Sequence, residues 1–149
     1  MKFIIATYPK KFKIAAWLIS KIDGCNYSHI AMVDDTFELV YQASHGFVNV
    51  WHIDNFLEEN NVVHIFEWSQ FNDTWIRHQL GKKYSIFQLV WIVIYKLTGM
   101  KFKSNGDSKF ICSEFAGKGM GITADDYTTP KYIVNYLNRM RSHDDVSKS

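Results

Sequence analysis

A thiol, an imidazole and a side-chain amide, Cys112, His29 and Gln42, have the types and local contexts needed for covalent acyl chemistry. Cys112 follows a short apolar approach, Phe110-Ile111, and opens Cys112-Ser113-Glu114-Phe115-Ala116-Gly117-Lys118-Gly119-Met120-Gly121, whose small residues suit a helix. Ser113 and Glu114 fit a first turn, where Ser can cap and a carboxylate complements the positive end of the dipole. Gly119 and Gly121 mark the helix stop. A thiol at a helix N-terminus sees a positive potential that favours the thiolate, the form that attacks carbonyls. The competing interpretation is a small buried hydrophobe, the commoner fate of a free cysteine. The presence of a suitable base decides between the two.

Of six histidines, His143 falls in a polar tail, His78 on an exposed-looking helix face beside Arg77, and His64 in a strand among apolar residues. His45 and His52 border turns. His29 begins the strand-like run Ser28-His29-Ile30-Ala31-Met32-Val33, and a strand end holds an imidazole rigidly beside a cleft. Gln42 falls on the next strand, Val40-Tyr41-Gln42-Ala43. With a turn at Asp34-Asp35, positions summing to about 69 or 71 stand opposite each other, so His29 and Gln42 share a face. A Gln amide oxygen can accept the imidazole N–H, the orienting role of the third member of a catalytic triad.

The elements that must position these residues read as follows. Residues 2–7 form a strand, and 11–22 a helix with apolar Phe12, Ala15, Ala16, Ile19 and Ile22, ended by Asp23-Gly24. Residues 27–33, 37–43 and 47–51 are three closely spaced strands, an antiparallel meander. Asp54 caps a short helix, 62–68 is a strand, and Ser69 or Asn72 caps a helix closed at Gly81. The apolar run 86–97 is predicted as a buried core helix, being shorter than the roughly 20 residues that span a bilayer. Residues 99–109 are a polar loop. Pro130 sits in the first turn of a last helix with Ile133, Val134 and Leu137 inward. Strands early and helices late argue for an α+β class, as one domain over residues 1–141 with a polar, frayed tail at 142–149.

The chain has 149 residues, 47% hydrophobic and 16% aromatic, enough for one packed core. A formal charge of +2, with lysines scattered in loose groups (Lys10, Lys11 and Lys13; Lys101 and Lys103), argues against a nucleic-acid partner. Two cysteines exclude a disulfide framework and a structural zinc site, and no metal or other cofactor is expected. No secretory signal is visible, so a cytoplasmic location is expected, and the size also suits a viral or phage protein acting in a host cell. Membrane contact through 86–97 is not favoured. Gly117-Lys118-Gly119-Met120-Gly121 ends a helix rather than beginning one, unlike a phosphate loop. Cys25 reads as a loop or buried thiol, and Asp34-Asp35 and Asp125-Asp126 as turns.

Five motifs occur in order: Ser28-His29-Ile30-Ala31; Val40-Tyr41-Gln42-Ala43-Ser44 with Gly46-Phe47-Val48; Gly81-Lys82-Lys83-Tyr84-Ser85; Phe110-Ile111-Cys112-Ser113-Glu114-Phe115; and Tyr127-Thr128-Thr129-Pro130. Their order, across most of the chain, resembles the circularly permuted branch of the NlpC-type papain-like cysteine hydrolases, the YiiX- and YaeF-like proteins. Lecithin–retinol acyltransferase-like enzymes share that order. The resemblance implies a papain-like fold, Cys112 as nucleophile, His29 as general base and then acid, Gln42 as third polar residue, and Tyr27 lining the site. Glu often holds the third position in YiiX-like proteins, and those proteins usually carry an export signal; this sequence departs on both points. The implied substrate is a peptide, isopeptide or acyl-amide. The rival expectations are a lipid acyltransferase or phospholipase-like enzyme on the same residues, and a binding module that keeps the fold without the reaction.

Overall fold

A computed structural model describes residues 2–69, 71–101 and 109–147, with side chains described for these except at 86, 87, 89 and 143–147. It is a mixed α+β fold of seven strands in one sheet and, among the described residues, six helices. The chain runs β1 (Lys2–Pro9), α1 (Ile14–Asp23), β2 (His29–Val33), β3 (Leu39–Ser44), β4 (Phe47–His52), α2 (Ile53–Glu59), β5 (Asn60–Trp68), α3 (Asp73–Gln79), β6 (Lys83–Tyr84), α4 (Ile86–Thr98), β7 (Lys109–Phe110), α5 (Cys112–Gly119) and α6 (Pro130–Ser147). Sheet order is β5-β1-β2-β3-β4-β6-β7, antiparallel except for β6 and β7. The expected meander is β2-β3-β4, and β1 and β5 extend it on the β2 side.

Period-two alternation along β2 sends side chains to two different cores. Ile30 and Met32 join the larger one, with Ile4, Phe110, Phe115, Ala116, Ile133 and others, under α5 and α6. Ala31 and Val33 face a smaller one closed by Phe56 of α2, with Ile5 and Val40.

The β2–β3 register differs from the predicted one. Met32 pairs with Tyr41 and Val33 with Val40, so opposite positions sum to 73. The cause is a wider connection than the expected tight turn. Asp34 accepts hydrogen bonds from the amides of Glu38 and Leu39 and from the Thr36 hydroxyl, and Phe37 adopts a left-handed φ of 60°. By contrast, the β3–β4 turn is the tight one predicted, with Ser44 opposite Phe47 and positive φ at both His45 and Gly46.

Several helix expectations shift, first in α1, which starts at Ile14 rather than residue 11 and leaves Phe12 before it and exposed. Asn72 caps α3 through the Trp75 amide, as one of the two predicted caps. The cap of α2 is His52, whose ring accepts from the Asp54 amide, while Asp54 itself sits in the first turn. Helix α4 is not a buried core helix: Gln88 and Ile92 point inward, while Val90 and Leu97 are 51% and 77% exposed. It lies across α1 at the surface, so one face has nothing to pack on. Helix α6 continues past residue 142 to Ser147. Most of the predicted 99–109 loop, with Lys103, lies outside the described residues; Lys109 opens β7. Among the described residues, no helix is long and apolar enough to cross a membrane.

Candidate active site

Helix α5 is seated unusually close to the sheet. A Cβ built on Gly119 would lie 2.5 Å from the Met32 sulfur of β2, and one on Gly117 would lie 2.6 Å from Ala124 Cβ. These glycines therefore serve close approach, beyond the helix-ending role expected of Gly119; the stop itself is made by Met120 and by Gly121 at φ 76°. The helix is tied at both ends. Ser113 Oγ donates to the Thr128 carbonyl at 2.6 Å, and the Trp68 indole donates to the Met120 carbonyl at 3.2 Å. Ser113 thus anchors the first turn to the 125–129 loop and does not cap it.

Cys112 is the first residue of α5 and is buried. Its Sγ lies 4.0 Å from the carbonyl oxygen of Ser28, the residue before His29. Burial raises its pKa above the usual thiol value, against the Ile30 and Ser113 backbone amides, which lower it. The amides of α5 and β2 do point at the sulfur, as expected at a helix N-terminus, but desolvation outweighs them. The resting thiol is neutral, which corrects the expectation of a preformed thiolate.

His29 and Gln42 meet. Nε2 of the imidazole is 2.8 Å from Gln42 Oε1. They do so diagonally, since the register of 73 puts Gln42 across from Ala31, and the long amide side chain reaches the next residue on that face. Among the described residues the β2–β3 ladder stops at Met32–Tyr41, so the two strands are not paired to each other where His29 and Gln42 stand, though His29 still pairs with Thr7 and Gln42 with Asn49. Because Gln42 Oε1 only accepts, it holds the proton on Nε2 and leaves Nδ1 with a lone pair. The His29 ring stands 6.2 Å from the Phe56 ring. Desolvation lowers its pKa to about 4, and the Gln42 hydrogen bond opposes this. The imidazole is therefore neutral at pH 7. Gln42 is buried, and its Nε2 has no hydrogen-bond partner among the described residues. An orphaned buried donor costs about 1–3 kcal/mol, a cost that stability alone does not explain.

His29, Gln42, Ser28 and Tyr84 line a cleft of about 340 Å³ whose outer wall is Lys13, Ala15, Ala16 and Ile19. Cys112 lines an adjoining apolar cavity of about 20 Å³, with Ile19, Ile22, Ile92, Val93 and Pro130. Ile19 borders both. The sulfur is thus against the main chain that carries His29 but walled from the cleft, and access to it requires a shift of the α1 side chains.

Tyr84 was not singled out by sequence, because between Lys83 and Ser85 it reads as a linker residue. It forms part of β6, lines the cleft, and its phenol pKa is raised by burial and then by the nearby Cys112, so it remains a protonated donor. Tyr27, expected to line the site, is instead buried in the larger core, edge-on to His64 at 5.4 Å, and is not among the cleft residues. The strand starts at His29, so Tyr27 belongs to the preceding loop and turns inward. Of the other described histidines, His45 also lines the cleft, 3.2 Å from Glu59, while His52 caps α2, His64 stands edge-on to Tyr27 and His78 is exposed. Cys25 is a free, half-buried thiol donating to the Tyr27 carbonyl. Among the described residues no group of three or more His, Cys, Asp or Glu could hold a metal ion.

A scan against protein-family models finds no match to this chain, and a search of curated proteins finds none either.

Proposed function

We propose that this protein is a cysteine hydrolase of the circularly permuted papain-like type, cleaving an amide or peptide-type bond. The observation that carries the reading is the His29–Gln42 hydrogen bond on β2 and β3, beside a cysteine at the start of α5 whose sulfur touches the backbone next to His29. Both groups are neutral at rest, so the proton moves as the bond forms. Once the α1 side chains shift to open the sulfur to the cleft, Nδ1 of His29 takes the Cys112 S–H proton while Sγ adds to the substrate carbonyl carbon. The oxyanion is met by the Cys112 backbone N–H and the Tyr84 hydroxyl. His29 returns the proton to the leaving nitrogen, and the C–N bond breaks to leave a thioester. A water molecule, deprotonated by His29, then releases the acid and restores the thiol. Gln42 acts through His29 as a positioning residue.

The test is turnover of a peptide or amide library by the wild type and by Cys112→Ala. The expected outcome is a loss of about a thousandfold or more in the variant, with unchanged thermal melting. Equal turnover overturns the reading. A second reading, transfer or hydrolysis of lipid acyl groups by the same pair, draws on the apolar side chains Ile19, Ile22, Ile92 and Val93 around Cys112. It predicts an acyl adduct on Cys112, seen by intact mass after incubation with phospholipid; a trapped peptide adduct and no lipid adduct decides for the first reading.

A further inference from the structure

The first turn of α1 and the segment before it expose Phe12 (72%), Ile14 (68%) and Trp17 (43%) in one short stretch. Large apolar side chains this exposed and this close together mark an interaction surface. Lysines interleave with them: Lys10, Lys11, Lys13 and Lys21 are all exposed, and no Asp or Glu occurs between Lys2 and Ile22. The nearest acids are already engaged. Glu59 pairs with Lys13 and His45, and Asp23 is buried beside Lys96.

The geometry points to this α1 face as a docking surface for an anionic phospholipid bilayer. Phe and Trp are the side chains that settle at the boundary between headgroups and acyl chains, and long lysines reach from there to lipid phosphates. Charge complementarity selects this occupant. A second copy of the chain would set a lysine-rich face, with Lys10, Lys11 and Lys21 outside the Lys13–Glu59 pair, against its like, whereas an anionic leaflet supplies the opposite charge. The surface is independent of any chemistry at Cys112, but it adjoins the cleft, whose outer wall is Lys13, Ala15, Ala16 and Ile19. A docked bilayer would therefore lie at the cleft mouth.

Co-sedimentation with vesicles tests this, using phosphatidylcholine alone and phosphatidylcholine mixed with phosphatidylglycerol. The wild type is expected in the pellet with the mixed vesicles only, and to bind about tenfold more weakly at high salt. Phe12→Asp with Ile14→Asp is expected to lose pelleting by about tenfold or more while melting at the wild-type temperature. Lys10→Glu with Lys11→Glu, at exposed positions outside the core, provides the same readout should the apolar variant misfold. Wild-type protein that stays in the supernatant with the mixed vesicles overturns the proposal. So does pelleting unchanged in the lysine variant, or a stable dimer in solution that Phe12→Asp dissolves.

Discussion

The two faces of the sheet are built to different depths, and the candidate site joins them. On one face, α5 and α6 close a large core with Phe110, Phe115, Met32 and Ile133, and this face delivers Cys112. On the other, a short α2 with Phe56 closes a small core over Ala31, Val33 and Val40, and this face carries His29 and Gln42. Cys112 and His29 thus come from opposite sides, and the Cys112 sulfur reaches the Ser28 carbonyl, next to His29 in the chain, where β2 and β3 lose their pairing to each other. The thick side supplies rigidity for the helix, and the thin side supplies a cleft. Stability and proton chemistry should therefore respond separately to mutation on the two sides.

Two phenylalanines, both fully buried, break this comparison if it is wrong. Phe115→Ala, in the large core, is expected to cost about 4 kcal/mol in urea unfolding. Phe56→Ala should cost less, about 3 kcal/mol, because solvent can relax into the thin face. The signature on the thin side is instead a pH effect. His29 must be neutral to act, and its lowered pKa places the acid limb of activity near pH 4. Removing the Phe56 ring takes away apolar surface that desolvates the imidazole, so the acid limb should move up toward about 6.5. An acid limb that moves with Phe115→Ala and stays put with Phe56→Ala would refute the division.

Gly119 sharpens the same point from the helix side. Gly119→Ala adds one methyl into the Met32 sulfur, which must move or push α5 away. The expected cost is about 2 kcal/mol, the range of overpacking a dense core. Because α5 carries Cys112, turnover should fall further than the stability loss explains, while the acid limb keeps its place. An unaltered melting curve would show that Met32 yields freely and that the close approach is incidental.

Much of this was legible in the sequence. The α5 start at Cys112, the β2-β3-β4 meander and the His29–Gln42 proximity follow from local patterns of apolar residues, turns and parity. Parity survives a register error of two, which is why the pair met although the predicted register did not hold. What was illegible depended on long-range packing. The two-residue strands β6 and β7 have no periodicity to detect, so Tyr84 looked like a linker. The apolar composition of α4 said nothing about how many partners it would find, and exposed Leu97 and Val90 followed. Helix-dipole reasoning gave the sign of the N-terminal field at Cys112 but not the larger opposing effect of burial.

The smallest expected effect separates the helix that carries the thiol from the thiol itself. Glu114 is buried two residues after Cys112 and paired with Lys118 at 2.9 Å. Burial raises its pKa to about 7, Lys118 opposes this, and Asp126 adds to it. Between about pH 4.5, its ordinary value, and pH 7, the folded chain holds a proton that the unfolded chain has lost. The contribution is therefore full below 4.5, declines as pH rises to about 7, and is constant beyond. Glu114→Gln removes that slope. Above pH 7 the variant should be the more stable by on the order of 1 kcal/mol, since Gln escapes the burial penalty but forfeits the ion pair. The difference between wild-type and variant stability across pH isolates Glu114 from His29, whose lowered pKa makes stability rise with pH over the overlapping range from about 4 to 6.5. Parallel curves would mean that Lys118 keeps Glu114 ionised throughout, and that the first turn of α5 bears a permanent negative charge beside its cysteine.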